Sequence, residues 1–303
     1  MQIGVAATPQ VAIPTLDWLL TTNHELKLII TQPDKPAGRG REIKQSPVSK
    51  WASDHGIPIV KPESSTALVG HIESLDLVIT IGYGVILPES VLKLPKFGFL
   101  NLHFSLLPAY RGAAPVQRAI ENGEQISGVS VFQLDKGMDT GPIFTTITAT
   151  IEPQWRSHEL LEHLAQLGPI AIESALNVIS QGGKPHPQEG QASMAPKITK
   201  AEAGIIWLQD SAIIVNKIRA FYPTPGAWTL WKGAAVKITN ARIAQPVEKL
   251  EAGQIVFNSG KVLVGTAKGG AIELISLIPA GKNEMLAVDW ARGAHLNGGE
   301  YFG

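Results

Sequence analysis

Asn101 and His103 stand two residues apart at the end of a short apolar run, 98–103. On an extended strand that spacing sends both side chains to one face. An amide donor beside an imidazole is what addition to a carbonyl needs: one group meets the developing oxyanion and the other moves a proton. Further along, Asp135-Lys136-Gly137-Met138-Asp139-Thr140-Gly141 is a glycine-spaced acidic loop able to return a carboxylate to the imidazole. Each feature has a plainer reading. Asn-x-His at a strand end is more often a satisfied polar pair than a catalytic one. The acidic loop could be a turn whose aspartates cap backbone N–H groups, or a weak calcium loop, although the ligand spacing of an EF-hand is missing.

These residues need a scaffold, and the first 180 residues supply its pattern: short β-branched runs alternating with amphipathic stretches, as in a parallel sheet flanked by helices. Strands are expected at Ile3–Ala6, Leu26–Thr31, Pro58–Val60, Leu75–Ile81 and Gly98–His103. Helices are expected near Val11–Thr21 and Val48–His55, after Gly112, and over Ser157–Ser180. Val129–Leu134 and Phe144–Thr150 read as a hairpin. Asn101 and His103 therefore fall at the C-terminal end of a parallel strand, where open α/β sheets hold their ligands. After Gly183 the texture changes. Pro185, Pro187 and Pro196 mark a linker, a helix is expected over Ala212–Phe221, and short β segments from Trp228 onward suggest a small barrel or sandwich. The expected division is 1–183, a linker 184–204, and 205–303.

The chain has 303 residues, 44% hydrophobic and 17% charged, with zero formal net charge. That is globular composition, and it offers no global argument for a nucleic-acid partner. There are no cysteines, which excludes disulfides, thiolate metal sites and a cysteine nucleophile. No metal is expected. No apolar run approaches a membrane span, and the start lacks the basic region of a signal peptide, so a cytoplasmic protein with no membrane partner is expected. A monomer is expected, although no sequence feature speaks directly to assembly. The first turn, Ala6-Ala7-Thr8-Pro9, lacks the glycines of a dinucleotide fold, and there is no phosphate-cradling P-loop. Ser105 is not in a G-x-S-x-G elbow, which argues against a serine hydrolase.

Three segments together are specific: Asn101-x-His103, the turn Ser105-Leu106-Leu107-Pro108, and Asp135-x-Gly-x-Asp139-x-Gly141. The chain resembles the folate-dependent formyltransferase family over nearly its whole length. Tyr110-Arg111-Gly112-Ala113-Ala114-Pro115-Val116-Gln117, the stretch Gln32–Gly40 and Ile218-Arg219-Ala220-Phe221-Tyr222-Pro223 point to those members that formylate methionine-charged initiator tRNA. The first turn departs from the family in having Ala7 where a glycine often precedes Thr-Pro. The resemblance implies an α/β, Rossmann-like parallel-sheet N-terminal formyltransferase domain, a linker and a C-terminal OB-like β-barrel. It also implies 10-formyltetrahydrofolate as co-substrate and methionyl-initiator tRNA as acceptor. Two alternatives stay open: another enzyme of the same one-carbon chemistry, such as a sugar-amine formyltransferase or a formyltetrahydrofolate hydrolase, and a non-catalytic RNA- or folate-binding module.

Within that resemblance Asn101 and His103 meet the oxyanion, and Asp139 holds His103 as an imidazolium with a raised pKa. Ser105, Leu106, Leu107 and Pro108 form one side of the folate site. Gly82, Tyr83, Gly84, Val85 and Ile86, following the preceding strand, form the other. The tRNA contacts are expected from Lys35, Arg39, Arg41, Lys44 and Arg219. The segment 32–50 carries a net +3 within 19 residues, and its prolines and glycines forbid a continuous helix. The last 99 residues also carry a net +3.

Overall fold

Alternating β-branched and amphipathic runs fold, in chain order, into β1 (Gln2–Ala7), α1 (Ile13–Leu19), β2 (Glu25–Ile30), β3 (Lys35–Ala37), β4 (Glu42–Lys44), α2 (Pro47–Asp54), β5 (Ile59–Val60), α3 (Val69–Ile72), β6 (Leu77–Ile81), α4 (Glu89–Leu92), β7 (Phe99–His103), α5 (Pro115–Glu121), β8 (Ile126–Gln133), β9 (Ile143–Thr150) and α6 (Ser157–Ser180). The computed structural model describes residues 1–37, 42–245, 249–296 and 299–303. The chain divides into two units. The first comprises Met1–Pro115, Ile126–Thr150 and Leu161–Ala195, and the second Val116–Gln125, Ile151–Leu160 and Pro196–Gly303. Residues 184–195 of the stretch expected as a linker thus belong to the first unit, and 196–204 to the second.

The first unit is built on a seven-stranded sheet in the order β5-β2-β1-β6-β7-β8-β9. β5, β2, β1, β6 and β7 are parallel, and β8 and β9 extend the sheet antiparallel. β6 is buried at all five positions, the pattern of a strand covered on both faces. From β1 the chain builds outward to β2 and β5, then returns to place β6 on the other side of β1. The carboxyl ends around that reversal form the crevice where such sheets bind ligands. Gly82, just after β6, sits at φ +57°, and a Cβ there would lie 2.7 Å from the Pro9 ring after β1. The two loops approach too closely for any other residue. Register pairs Thr80 of β6 with Asn101 of β7.

The segment after β2, whose prolines and glycines forbid a continuous helix, contains an antiparallel pair in which β3 meets β4, Lys35 opposite Lys44. Proline forbids helix interiors but is tolerated in an unpaired-edge ribbon of this kind. α2 then starts cleanly because the Ser46 hydroxyl accepts the Ser49 N–H at 3.0 Å and Pro47 occupies the first turn.

The second unit contains α7 (Ser211–Phe221), β10 (Ala227–Trp231), β11 (Ala234–Ala244), β12 (Gln254–Asn258), β13 (Lys261–Gly265), β14 (Ala271–Ile278), β15 (Met285–Leu286), α8 (Ala287–Ala294) and β16 (Glu300–Tyr301). Its strands form an antiparallel OB-like barrel in the order β10-β11-β14-β13-β12-β16, with β15 on β14. The barrel is nearly closed: beyond β16 the Gly303 N–H donates to the Leu230 carbonyl of β10 at 3.1 Å. Trp207 and Trp290 stack on Phe302 with centroids 5.5 and 5.6 Å apart, and Trp231 meets that cluster edge-on. Helix α8 is the main element the sequence does not announce. Its buried face is Ala287, Trp290 and Ala291, and at eight residues it is shorter than the stretch over which a helical period can be read from sequence. No helix among the described residues is long and apolar enough to cross a membrane.

Candidate active site

Alternation along β7 puts Asn101 and His103 on one face, Asn101 half-buried and His103 buried. Thr80, opposite Asn101 on β6, has its hydroxyl 2.7 Å from Asn101 Oδ1 and 3.0 Å from the Leu100 carbonyl. With the hydroxyl on Oδ1, the Asn101 NH2 is turned away from Thr80. That NH2 group has no hydrogen-bond partner among the described residues.

His103 Nε2 lies 3.0 Å from the Tyr110 carbonyl. A carbonyl only accepts, so Nε2 carries the proton and donates. In the neutral ring Nδ1 is then a lone pair, and it faces Asp139 Oδ2 at 3.8 Å, too long for a hydrogen bond. The Phe132 ring stands edge-on to the imidazole at 6.3 Å. Asp139 Oδ2 itself accepts the Gly112 N–H at 2.7 Å. Gly112 has φ +121°, and a Cβ there would lie 2.8 Å from the Ala195 carbonyl oxygen, so only glycine can offer its N–H at this point.

The electrostatics correct one expectation. The resemblance implies that Asp139 holds His103 charged, with a raised pKa. Burial instead pushes the His103 pKa below its usual value, and the Asp139 charge and the Tyr110 carbonyl recover only part of that shift. The resting ring is neutral. Such a ring, with an opposite charge nearby, can accept a proton and is not a preformed acid.

The turn after β7 is more inward-looking than its sequence suggests. The Ser105 hydroxyl, expected to be offered to a ligand, donates to the Ala109 carbonyl at 2.7 Å. The Leu107 N–H donates to Ser130 Oγ at 3.1 Å, and the Ser130 hydroxyl donates to the Ser105 carbonyl at 2.7 Å. Ser105 and Leu107 are buried, and Leu106 and Pro108 are half-buried. The residues after β6 divide. Tyr83 packs into the core with Leu28, Ile30 and Leu87, while Ile86 is 86% exposed. Gly82 and Gly84 make the left-handed turn between them, and Gln32 Nε2 holds it by donating to the Tyr83 carbonyl at 2.7 Å. Val85 and Ile86, not Tyr83, present side chains outward.

Of the residues expected to touch tRNA, Lys44 is exposed on β4. Lys35 is on β3. Arg39 and Arg41 lie outside the described residues. Arg219, on α7 in the second unit, is committed elsewhere: it donates to the Trp155 carbonyl at 2.8 Å, the Glu152 carbonyl at 3.2 Å and Asn216 Oδ1 at 3.1 Å. Burial lowers its pKa.

A family model described as formyl transferase matches residues 3–176, and one described as formyl transferase, C-terminal domain, matches 197–295. The methionyl-tRNA formyltransferase of Salinispora tropica is 39% identical, covering 99% of this chain and 99% of its own. That of Thermobifida fusca is 40% identical over 100% of this chain and 99% of its own. The chain belongs to the methionyl-tRNA formyltransferase family. Among solved structures, HypX from Aquifex aeolicus in complex with tetrahydrofolic acid superposes with a TM-score of 0.68 at 18% identity. That match covers 96% of this chain and 47% of HypX, so the chain spans about half of that longer protein, and the likeness is one of fold.

In this methionyl-tRNA formyltransferase family member the sequence did not point to Thr80, to the Tyr110 carbonyl or to the Gly112 N–H. Two of these are backbone groups, which no side-chain pattern reveals. Gly112, directly after Tyr110-Arg111, is the one signal that could have found them, since a glycine beside a catalytic motif often marks a close backbone approach.

Proposed function

We propose that this protein transfers the formyl group of 10-formyltetrahydrofolate to the α-amine of methionyl-initiator tRNA, with Asn101, His103 and Asp139 as its catalytic residues. The observation that carries the reading is the arrangement of a neutral buried imidazole between the Tyr110 carbonyl and Asp139, beside an unpartnered amide NH2. 10-Formyltetrahydrofolate supplies an activated formyl carbon. The exposed Val85 and Ile86 and the half-buried Leu106 and Pro108, on loops leaving the adjacent ends of β6 and β7, suit a flat heterocycle of that kind. Gly82 and Gly84 let the chain turn there, and Ser105, Leu107 and Tyr83 brace these walls from behind.

As the amine attacks, the Asn101 NH2 donates to the formyl oxygen as it becomes an oxyanion, a contact typically worth about 2.7–4 kcal/mol of barrier. His103 Nδ1, carrying a lone pair, takes the proton that the attacking nitrogen must lose. The ring becomes an imidazolium only at that moment, and Asp139 across from Nδ1 stabilises it. The same proton is then available to the departing folate nitrogen as the carbon–nitrogen bond to it breaks. Asp139 therefore acts most strongly on the intermediate, where the ring is charged.

The chemistry is assigned to residues 1–183 and tRNA binding to 205–303, with Lys35, Arg39, Arg41 and Lys44 reaching the tRNA from the first part. Exposed Lys237 and Lys261 on the barrel support that division. Arg219 contributes by bracing the segment around 152–155. An enzyme acting on charged initiator tRNA works where translation starts, in the cytoplasm. The test is formylation by the purified chain with 10-formyltetrahydrofolate and three acceptors: methionyl-tRNA, uncharged tRNA and a nucleotide-linked amino sugar. Turnover is expected with methionyl-tRNA alone. Turnover with the amino sugar, or simple hydrolysis of the folate, would overturn the assignment.

A further inference from the structure

His103 has two partners, and both sit in strained backbone: Tyr110 at φ +62° and Asp139 at φ +53°. Left-handed conformations cost a non-glycine residue roughly 1–2 kcal/mol, so something must hold each of them there. The same short segment holds both. His186 pairs with Ile143 at the start of β9, its N–H donating at 2.8 Å and its carbonyl accepting at 2.7 Å. From there the chain runs past both loops. The Ser193 hydroxyl accepts the Tyr110 N–H at 2.9 Å, and the Ser193 carbonyl accepts the Arg111 N–H at 2.9 Å. The Ala195 N–H donates to the Arg111 carbonyl at 2.6 Å, and the Ala195 carbonyl accepts the Ala114 N–H at 3.0 Å.

Gln188 lies between these anchors and joins the two loops directly. Its Nε2 donates to the carbonyls of Asp139 and Gly141, both at 2.8 Å. Its Oε1 accepts from Arg111 Nη2 at 2.6 Å and Nε at 3.1 Å. The partners fix the orientation of the amide, since guanidinium only donates and carbonyls only accept. Every hydrogen-bonding site of this side chain on that bridge is filled. Arg111 follows Tyr110, so one amide couples the backbone that carries the Nε2 acceptor to the backbone that carries the Nδ1-facing carboxylate.

We infer that residues 186–195 are a strap that positions both partners of His103, with Gln188 and Ser193 as positioning residues for the reaction. This rests on the assignment of His103 as the base. It makes a segment of linker-like composition part of the active-site construction, and it extends the catalytic unit to Ala195. The groups facing His103 are Asp139 from the loop after β8, the Tyr110 carbonyl from the loop after β7, and the uncharged Phe132 ring of β8. Loosening the strap withdraws both groups that favour the charged ring while burial stays. The base then titrates at lower pH.

The experiment compares wild type, Gln188→Leu, Ser193→Ala and His103→Asn in the full chain. Formylation of methionyl-tRNA is followed across pH, together with folate affinity and melting temperature. Gln188→Leu keeps the volume of the side chain and removes all four bonds. Its kcat is expected to fall at least about tenfold, with both KM values within threefold of wild type, because displacements of about 1 Å suffice for such losses. The acid limb of its kcat profile is expected to move down by about half a unit or more. Ser193→Ala, which removes only the Tyr110 anchor, is expected to shift the same limb by less, and it decides the matter if Gln188→Leu does not fold. Unchanged kcat and an unmoved limb would overturn the inference. So would a loss of rate with an unmoved limb that merely follows the folded fraction. His103→Asn separates the two claims. If it stays active, the assignment of the base has failed; if it is inactive while the strap variants are normal, only the strap has.

Discussion

Tyr110 and Asp139 face opposite nitrogens of one imidazole, the first through its backbone carbonyl at 3.0 Å from Nε2 and the second through its carboxylate at 3.8 Å from Nδ1. The short contact fixes the tautomer, and the long one leaves Nδ1 unprotonated at rest. A lone pair and an opposite charge thus face each other without being joined, which suits the proposed role of His103 in accepting a proton during the reaction and then releasing it.

The pH dependence follows from that geometry. The His103 pKa is lowered from 6.5, chiefly by burial. With His103 as the proposed base the active form is unprotonated, so kcat is expected to hold below pH 6.5 and to fall only as the pH drops through the depressed folded value. Asp139→Asn removes the charge that partly offsets burial, so the acid limb is expected to move lower still while the plateau rate falls. The same depression has a stability consequence. Below about pH 6.5 the unfolded chain takes up a proton that folded His103 refuses, so stability is expected to decline between that value and the folded pKa. His103→Asn is expected to flatten that decline, as read from melting temperatures across pH.

Asn101→Ala is expected to lower kcat by about 10²–10³-fold, the usual cost of removing one oxyanion donor, with folate binding little changed. Thr80→Val is the finer probe. It removes only the hydroxyl that orients the amide, and a fall of a fewfold in kcat, recovered by Thr80→Ser, is expected. Steady-state kinetics on the three variants checks this. Equal rates for Thr80→Val and wild type would mean that the amide is oriented by other contacts.

Gly112→Ala tests the backbone donor. The added methyl meets the Ala195 carbonyl at 2.8 Å in a conformation that alanine rarely adopts. The Asp139 carboxylate is expected to lose its N–H partner, giving a melting temperature lower by several degrees and a larger fall in kcat than the folded fraction explains. Circular dichroism melts alongside single-turnover rates make the comparison.

The basic segment after β2 is expected to act on tRNA alone. Arg39→Ala and Lys44→Ala should each reduce kcat/KM for methionyl-tRNA and flatten its salt dependence by about one phosphate contact. Folate affinity should stay the same. Arg219→Ala is expected to differ in kind. Its three protein acceptors predict a stability loss of ~2 kcal/mol, with KM for tRNA unchanged in the folded enzyme. Melting curves and tRNA titrations separate the two behaviours.

Much of this architecture is legible in the residues themselves. Buried β-branched runs such as Leu77–Ile81 announce the parallel strands, and the two-residue spacing of Asn101 and His103 announces their shared face. Ser157–Ser180 is visible as a helix over its full length. What stays hidden is what depends on backbone groups and on long-range closure. The Tyr110 carbonyl and Gly112 N–H have no side-chain signature. Gln188 sits between Pro187 and Glu189 in a stretch whose composition resembles a linker, and only the fold brings it to Asp139. The direction of the His103 shift was also out of reach. The sequence shows the counter-charge, but burial, the larger effect, is a property of the packed site.

The most direct test is the rate of formyl transfer to methionyl-tRNA by His103→Asn at saturating substrates, with tetrahydrofolate binding measured on the same preparation. A fall in kcat of at least about 10³-fold with folate affinity within threefold of wild type is expected, since the proposed role places the imidazole on the transition state and not on ground-state binding. Turnover within tenfold of wild type would contradict the central role of His103.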